Sequence, residues 1–171
     1  MTRPVHPSLL LSNGGIPNNP RLPLLHYPDA VTIEGNDPAA AFEDLFNRHG
    51  WGGGWRNGIL GFHHYHSTAH EVLGIYSGEV TVLFGGEGGL TVVAKPGDVI
   101  LVPAGIGHKR IATRGRLGIV GAYPEGQHAD LCQGATGNGE RHLTAVKAVP
   151  IPPLDPVHGT DGPMHQYWQT A

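Results

Sequence analysis

The stretch HHYHSTAHE, residues 63 to 71, holds four histidines and a glutamate in nine positions. Imidazole nitrogens and carboxylate oxygens are ligands for divalent transition metals, so the first question is which of these side chains share a face. In a β-strand, residues i and i+2 do. His64 and His66 then point one way, and His63 and Tyr65 the other. Two imidazoles about 6 to 7 Å apart along a concave sheet face can converge on one ion. Glu71 follows the small polar step STA and can return on the neighbouring strand. A fourth ligand must come from elsewhere. His108 qualifies, because PAGIGH places it at the start of a strand after a tight turn.

Other readings of these residues are open. The chain has 12 histidines, so an H-x-H arises readily by chance. His63 and His70 read as surface or interface residues. His26, His49, His128, His142, His158 and His165 fall in loops or tails without ligand spacing. Cys132 reads as an ordinary loop thiol, and no Ser-His-Asp or Cys-His arrangement has usable spacing. GGEGG (residues 85 to 89) is a hairpin tip rather than a phosphate cradle, since no helix follows it.

The elements that must position these groups are strands. From Ile59 to Tyr123 the segments ILGFHHYH, EVLGIYS, EVTVLFG, LTVVA, VILVP, HKRIAT and LGIVGAY are short and rich in β formers. Turn residues separate them, among them Ser77-Gly78, KPGD, AGIG and RGR. Pro96-Gly97 fits a type II turn. Seven strands in about 65 residues imply a compact antiparallel barrel or sandwich. Ahead of them, NDPAAAFEDLFNRHG predicts a helix over about 38–48, with Asp37 as N-cap, Pro38 at the first position and Gly50 beyond the end. GWGGGWRNG reads as a loop anchored by Trp51 and Trp55.

Residues 1 to 30 carry six prolines, which exclude a long helix and suggest an extended arm on the domain or on a second subunit. Its removal should weaken dimerisation more than metal binding. After YPEGQ the tail looks irregular until TAVKAVPIP and MHQYW, each a possible edge strand.

Parity also proposes a pocket lining. Leu73 and Ile75 should share the inward face of Glu71, and Arg110 that of His108. An inward arginine needs an anion. That anion is a substrate carboxylate or enolate, unless Arg110 pairs with an acid such as Asp98 or sits at the barrel mouth in solvent. Tyr123, Gln127, Trp55 and Arg56 are placed at the rim.

Length and charge bound the rest. At 171 residues the chain is the size of one domain. The charged fraction is 15% and the net charge is -3, with no Lys/Arg cluster, so no nucleic-acid footprint is present. No segment reads as a membrane span, a signal-peptide core or a basic amphipathic helix. One cysteine fits a reducing compartment, and a cytoplasmic location is expected.

Two blocks carry a family resemblance. Gly58, His64, His66, Glu71 and Gly78 read G-x5-H-x-H-x4-E-x6-G, and Gly97, Pro103, Gly105 and His108 read G-x5-P-x-G-x2-H. They resemble the paired motifs of the cupin superfamily. Where that family often carries asparagine after a final spacer, this chain has Ala112, which puts in doubt a contact behind the site rather than a ligand. NNPRLPLLHY, WRNG, HHYHSTAHEVLGIYSG, PAGIGHKR and GAYPEGQ are similar to a bacterial subgroup of small single-domain cupins with no established reaction.

The resemblance implies an all-β double-stranded β-helix, or jelly-roll barrel. One domain would span 1–171: an N-terminal arm at 1–36, a helix at about 38–48, a barrel core at about 58–123 and a C-terminal extension at 124–171. It implies that His64, His66, Glu71 and His108 bind one divalent metal, with Fe, Mn, Ni, Cu or Zn all suited to such an N/O set. Four protein ligands in an octahedral shell leave two positions for substrate, water or dioxygen. The expected activity is that of a metal-dependent oxygenase, isomerase or decarboxylase on a small polar or anionic substrate. The alternative is a non-catalytic barrel that binds or senses a small molecule. A homodimer is expected, since the arm and outer strands such as TVVA need cover.

Overall fold

From the N-terminus the chain lays down strands β1 (His6–Leu10) and β2 (Asn19–Tyr27), helix α1 (Pro38–Arg48), and strands β3 (Trp51–Asn57), β4 (His64–Tyr65) and β5 (Glu71–Phe84). Strands β6 (Leu90–Ala94), β7 (Val99–Val102), β8 (His108–Pro124) and β9 (Cys132–Gln133) follow, then helices α2 (Gly139–Ala148) and α3 (Pro163–Tyr167). This computed structural model describes residues 3–134 and 139–169; the outermost positions of the expected arms and four residues of the C-terminal extension lie outside the described residues.

All named pairings are antiparallel, in the order β1-β2-β7-β5-β8-β4-β9, with β3 also on β8 and β6 on β5. The sheet is curled, as a jelly roll requires. Its spine is the pairing of β5 with β8 from Val72↔Ala122 to Phe84↔His108. The first half of β5 turns its other edge to β7 and the second half to β6. Four shorter strands were expected where these two long ones run. The difference lies at Gly78 and Gly115, which read as turns but sit in the strands with φ of +70° and +73°. Register shifts flank Ser77, so the strands bend there without breaking. A Cβ on Gly78 would lie 2.6 Å from the Arg116 carbonyl oxygen, so only glycine fits the bend.

Period-two alternation sorts the core into two clusters. Leu73, Ile75, Val80, Val82 and Phe84 fill the inside of the curl with Ile100 and Ile119. Val72, Leu101 and Val120 face outward, onto α1 and the C-terminal segment. Helix α1 buries Ala39, Phe42 and Phe46 there. Phe42 lies so close to Gly74 that a Cβ would meet its ring at 2.3 Å. Asp37 is at the N-cap, but its side chain makes no capping bond; its carboxylate accepts from Arg56 instead.

Three expectations about elements change. Trp51–Asn57 is a strand on β8, not a loop. Its run of glycines hid the pairing, and they are there for close approach: a Cβ on Gly54 would lie 2.9 Å from the Gly121 carbonyl oxygen. The N-terminal arm is extended and lies on its own domain, as β1 and β2, so the sheet begins well before residue 58. The two tail segments expected as edge strands are helices α2 and α3. Pro163 opens α3 at its first turn, a helix-start signal just ahead of the expected strand. Trp168, just beyond α3, is buried and donates Nε1–H to the Pro23 carbonyl. Among the described residues no helix is long and apolar enough to cross a membrane.

Candidate metal centre

The structure brings His64, His66, Glu71 and His108 to one place inside the curl. His64 opens β4 directly opposite His108, which opens β8. Glu71 opens β5, with Val102 as its neighbour on β7. His66 follows β4 on the same side as His64, two residues on. The ligand atoms of the three histidines lie within 4.8 Å of one another. Glu71 spans two of them, with Oε2 3.5 Å from His66 Nε2 and Oε1 3.4 Å from His108 Nε2.

What orients the rings is main chain. His64 Nδ1–H donates to the Phe62 carbonyl at 3.0 Å, and His108 Nδ1–H to the Ile106 carbonyl at 3.0 Å. His66 Nδ1–H donates to the Asp130 carbonyl. A carbonyl oxygen can only accept, so each Nδ1 must carry the proton. Each Nε2 is therefore the nitrogen left to the pocket, and those of His66 and His108 face Glu71. Tying the remote ring nitrogen in this way fixes the tautomer and ring direction of a metal-binding histidine.

Asp130 holds more than one of these contacts. Its carboxylate accepts from the Ser67 N–H at 2.7 Å and from the Ser67 hydroxyl, and Cys132 Sγ points at it from 3.3 Å. The segment after β8 is thereby stitched to the turn after His66. Sequence reasoning missed Asp130, because its partner is 63 residues away and no local pattern marks it.

Burial opposes a charge on Glu71, but hydrogen bonds from His108 and His66 outweigh it and hold the carboxyl well below the usual carboxylate range. Burial also works against a charge on His66, yet the Glu71 hydrogen bond and charge prevail and push its pKa up to about 9. His64 goes the other way. Burial and then the neighbouring His108 hold it neutral, with its pKa down to about 3. A proton on His66 thus balances Glu71 when nothing else does, and a cation can take its place.

The four groups form one end of a cavity of about 200 Å³. Ile59, Leu60, Leu73 and Leu131 make apolar walls, with Trp55, Asn57 and Tyr123 beside them. Trp55 donates Nε1–H to the Tyr123 hydroxyl at 2.8 Å. Gly121 makes room for that indole, since a Cβ would lie 2.2 Å from it. Burial, followed by the nearby Glu71 charge, raises the Tyr123 pKa.

Other residues expected at the site are elsewhere. Arg110 does not turn inward with His108; it is exposed, beside Gly61, and its N–H donates to the Leu60 carbonyl. The Ile59–Gly61 segment runs alongside this strand just past His108, and inward parity stops there. Asp98 is no partner for it either, being taken by His26 and by the Asp29 and Lys95 N–H groups. Gln127 is not at the rim. Its Oε1 accepts from the His70 N–H and its Nε2 donates to the Pro150 carbonyl. Arg56 is held at the surface by Glu43 and Asp37.

His63 and His70 point away from the cluster. His63 pairs with Glu87 at the surface. His70 was expected at the surface or an interface, but it is fully buried. It packs on Trp168 at 4.8 Å between ring centres and accepts the Ala104 N–H at Nδ1. The C-terminal helices, unforeseen in the sequence, supply its cover.

Comparisons with known proteins agree with this picture. Residues 55–115 match the cupin domain family. The uncharacterized protein YjlB of Bacillus subtilis is 35% identical over 156 residues, which span 91% of this chain and 92% of that protein. Among solved structures, a DUF861 family protein from Thermotoga maritima is 25% identical over 56% of this chain and 98% of its own, with a TM-score of 0.34. Bacillus subtilis oxalate decarboxylase is 16% identical over 67% of this chain and 24% of its own, at 0.36. Superposition at that level fixes neither a site nor a reaction.

Proposed function

The chain belongs to the cupin superfamily, alongside the small protein YjlB, and from that premise we propose that it is a metal-dependent enzyme acting on a small molecule. One observation carries the reading. Three buried or half-buried imidazoles have their Nδ1–H groups tied to carbonyls, which aims three free Nε2 atoms past a buried carboxylate. That donor set fits a divalent Fe, Mn, Ni, Cu or Zn ion. A buried cluster this polar, ending an otherwise apolar cavity, has no packing role that leucines would not serve better.

His64, His66, His108 and Glu71 would hold the ion. It would supply Lewis-acid or redox chemistry to a substrate atom in the cavity. The chain's own residues do the rest. Tyr123 keeps its proton beside Glu71 and is oriented by Trp55, so one hydroxyl stands ready at the cavity wall. Ile59 and Leu73, both buried, line the cavity with apolar surface. Asp130 and Ser67 keep the His66 ring in line.

The assembly is proposed to be a cytoplasmic homodimer. Leu9 on β1, Leu11 just after it and Val93 on β6 are more than half exposed and call for cover, and the one cysteine is unpaired. Light scattering tests the dimer.

The metal is tested on untagged protein by elemental analysis, before and after reconstitution with each candidate ion. About one ion per chain is expected. Less than a tenth of that after reconstitution with every ion would sink the proposal.

A further inference from the structure

The walls of the metal cavity carry information about what it admits. Beyond the four clustered groups, its lining is Trp55, Ile59, Leu60, Leu73 and Leu131, with Asn57 and Tyr123 as the polar side chains. Among the described residues no lysine or arginine lines it. The two arginines nearest in sequence lie outside the lining: Arg56 is paired with Glu43 and Asp37, and Arg110 is exposed beside Gly61. The Tyr123 hydroxyl already accepts from Trp55 and lies near the Glu71 charge. Asn57 spends its Oδ1 on the Gly58 N–H, which leaves its amide as the one further donor at the mouth.

From this lining we infer that the site takes a small neutral hydroxy- or keto-compound with an apolar body, and refuses dianions. The inference rests on the metal-dependent reading above. One oxygen end of a ligand would go to the ion. A second charge would then lie against leucine and isoleucine side chains, with Glu71 close by as a like charge and no lysine or arginine among the described lining residues to meet it. Burying an unpaired charge in that way is strongly unfavourable. An apolar body gains from the same walls. Size adds a limit, because about 200 Å³ is below the roughly 300 to 1,000 Å³ of pockets for drug-sized ligands. Nucleotide sugars and phosphorylated sugars fail on both grounds.

The test uses the full chain reconstituted with cobalt(II), with metal content measured first. Failure to take up cobalt sinks the metal reading and this inference with it. With cobalt in place, the visible spectrum of the ion is titrated with two neutral hydroxyketones, 3-hydroxybutan-2-one and 2-hydroxyacetophenone, and with the dianion malonate. At least one neutral compound is expected to saturate with a Kd at least tenfold below that of malonate. Leu131 is 55% exposed at the mouth, so Leu131→Lys should leave the fold intact. It should tighten malonate by about tenfold. Malonate binding as tightly as the neutral compounds overturns the inference. So does a spectrum that neither neutral compound perturbs.

Discussion

His64 and His108 face each other across two antiparallel strands, with their ring centres 4.0 Å apart, and each donates Nδ1–H to the carbonyl two residues before it. The same local device is therefore used twice, once at the start of β4 and once at the start of β8. Each strand delivers an imidazole whose direction is fixed by its own backbone. His66 has no such local anchor and borrows the Asp130 carbonyl. The cluster is thus built from two self-orienting ligands, one ligand oriented from a distance, and a carboxylate on the next strand.

Substitution of the cluster separates ligands from bystanders. His64→Ala, His66→Ala, Glu71→Ala and His108→Ala are each expected to weaken metal binding by more than about 100-fold. His63→Ala, at the surface with Glu87, should change it less than about twofold. Chelator competition measures both. Retention of metal by Glu71→Ala would reduce the site to three ligands.

Asp130 tests the borrowed anchor. Asp130→Ala keeps the carbonyl that His66 uses but loses the carboxylate that fixes the loop through Ser67. Metal affinity should fall by about 10- to 100-fold, the usual effect of removing such support. Ser67→Ala should act in the same direction and less strongly. An Asp130→Ala affinity equal to that of the parent chain would show that β9 alone holds the loop.

Much of this was legible in the sequence, and the pattern of what was not is physical. Helix α1 carries its start and stop signals locally, and its limits, Pro38–Arg48, are those the signals give. His64, His66, Glu71 and His108 could be grouped because strand parity and motif spacing are also local. Arg110 shows where parity fails: the Ile59–Gly61 segment runs alongside β8 just past His108, a tertiary fact with no trace in HKRIAT. Asp130, Gln127 and the cover over His70 depend on pairings between distant segments. The C-terminal helices were hidden because TAVKAV and MHQYW carry β-branched and aromatic residues that suit either state.

Acid stability should report on Asp98. Burial would raise its pKa, but the hydrogen bonds from His26 and from the Asp29 and Lys95 N–H groups prevail and lower it. A carboxyl whose folded pKa lies below its unfolded value, about 3.9, contributes stability above that value. The contribution is lost as pH falls through the folded pKa, so the window lies below about pH 4. Asp98→Asn should therefore cost about 1.5–3 kcal/mol at pH 6, the range for a hydrogen bond to a charged group, and much less at pH 3. Urea midpoints at the two pH values measure it; an equal cost at both would assign the effect to shape rather than charge.

Packing of the helix is tested apart from the site. Gly74→Ala would set a methyl 2.3 Å from Phe42 Cδ1, so α1 must shift away from β5. Overpacking of this kind costs about 1–3 kcal/mol. A lower melting temperature is expected, with metal content per folded chain unchanged, because Gly74 faces the helix and Glu71 faces the cavity. Metal loss in parallel with the melting shift would couple the two cores.

The N-terminal arm does not behave as a separable appendage. Asn18, just before β2, is 1% exposed and has φ of +49°, a left-handed conformation that asparagine tolerates better than most residues. Its Nδ2 donates to the Leu11 and Gly85 carbonyls, and its Oδ1 accepts from the Gly107 N–H at 3.0 Å. Gly107 immediately precedes His108, and the neighbouring Asn19 donates to the Ala104 carbonyl in the same loop. The arm therefore braces the turn that delivers a clustered histidine, a role beside the one in dimerisation expected of it. Asn18→Ala strands the Gly107 N–H in a buried place, a loss of about 1–3 kcal/mol, and adds left-handed strain. The melting temperature should drop, and metal affinity should fall by at least about tenfold at a temperature where the variant is still folded. Asn18→Gly relieves the strain but not the lost hydrogen bonds, so it should recover part of the melting temperature and little of the affinity. Full metal affinity in Asn18→Ala would return the arm to a role outside the site.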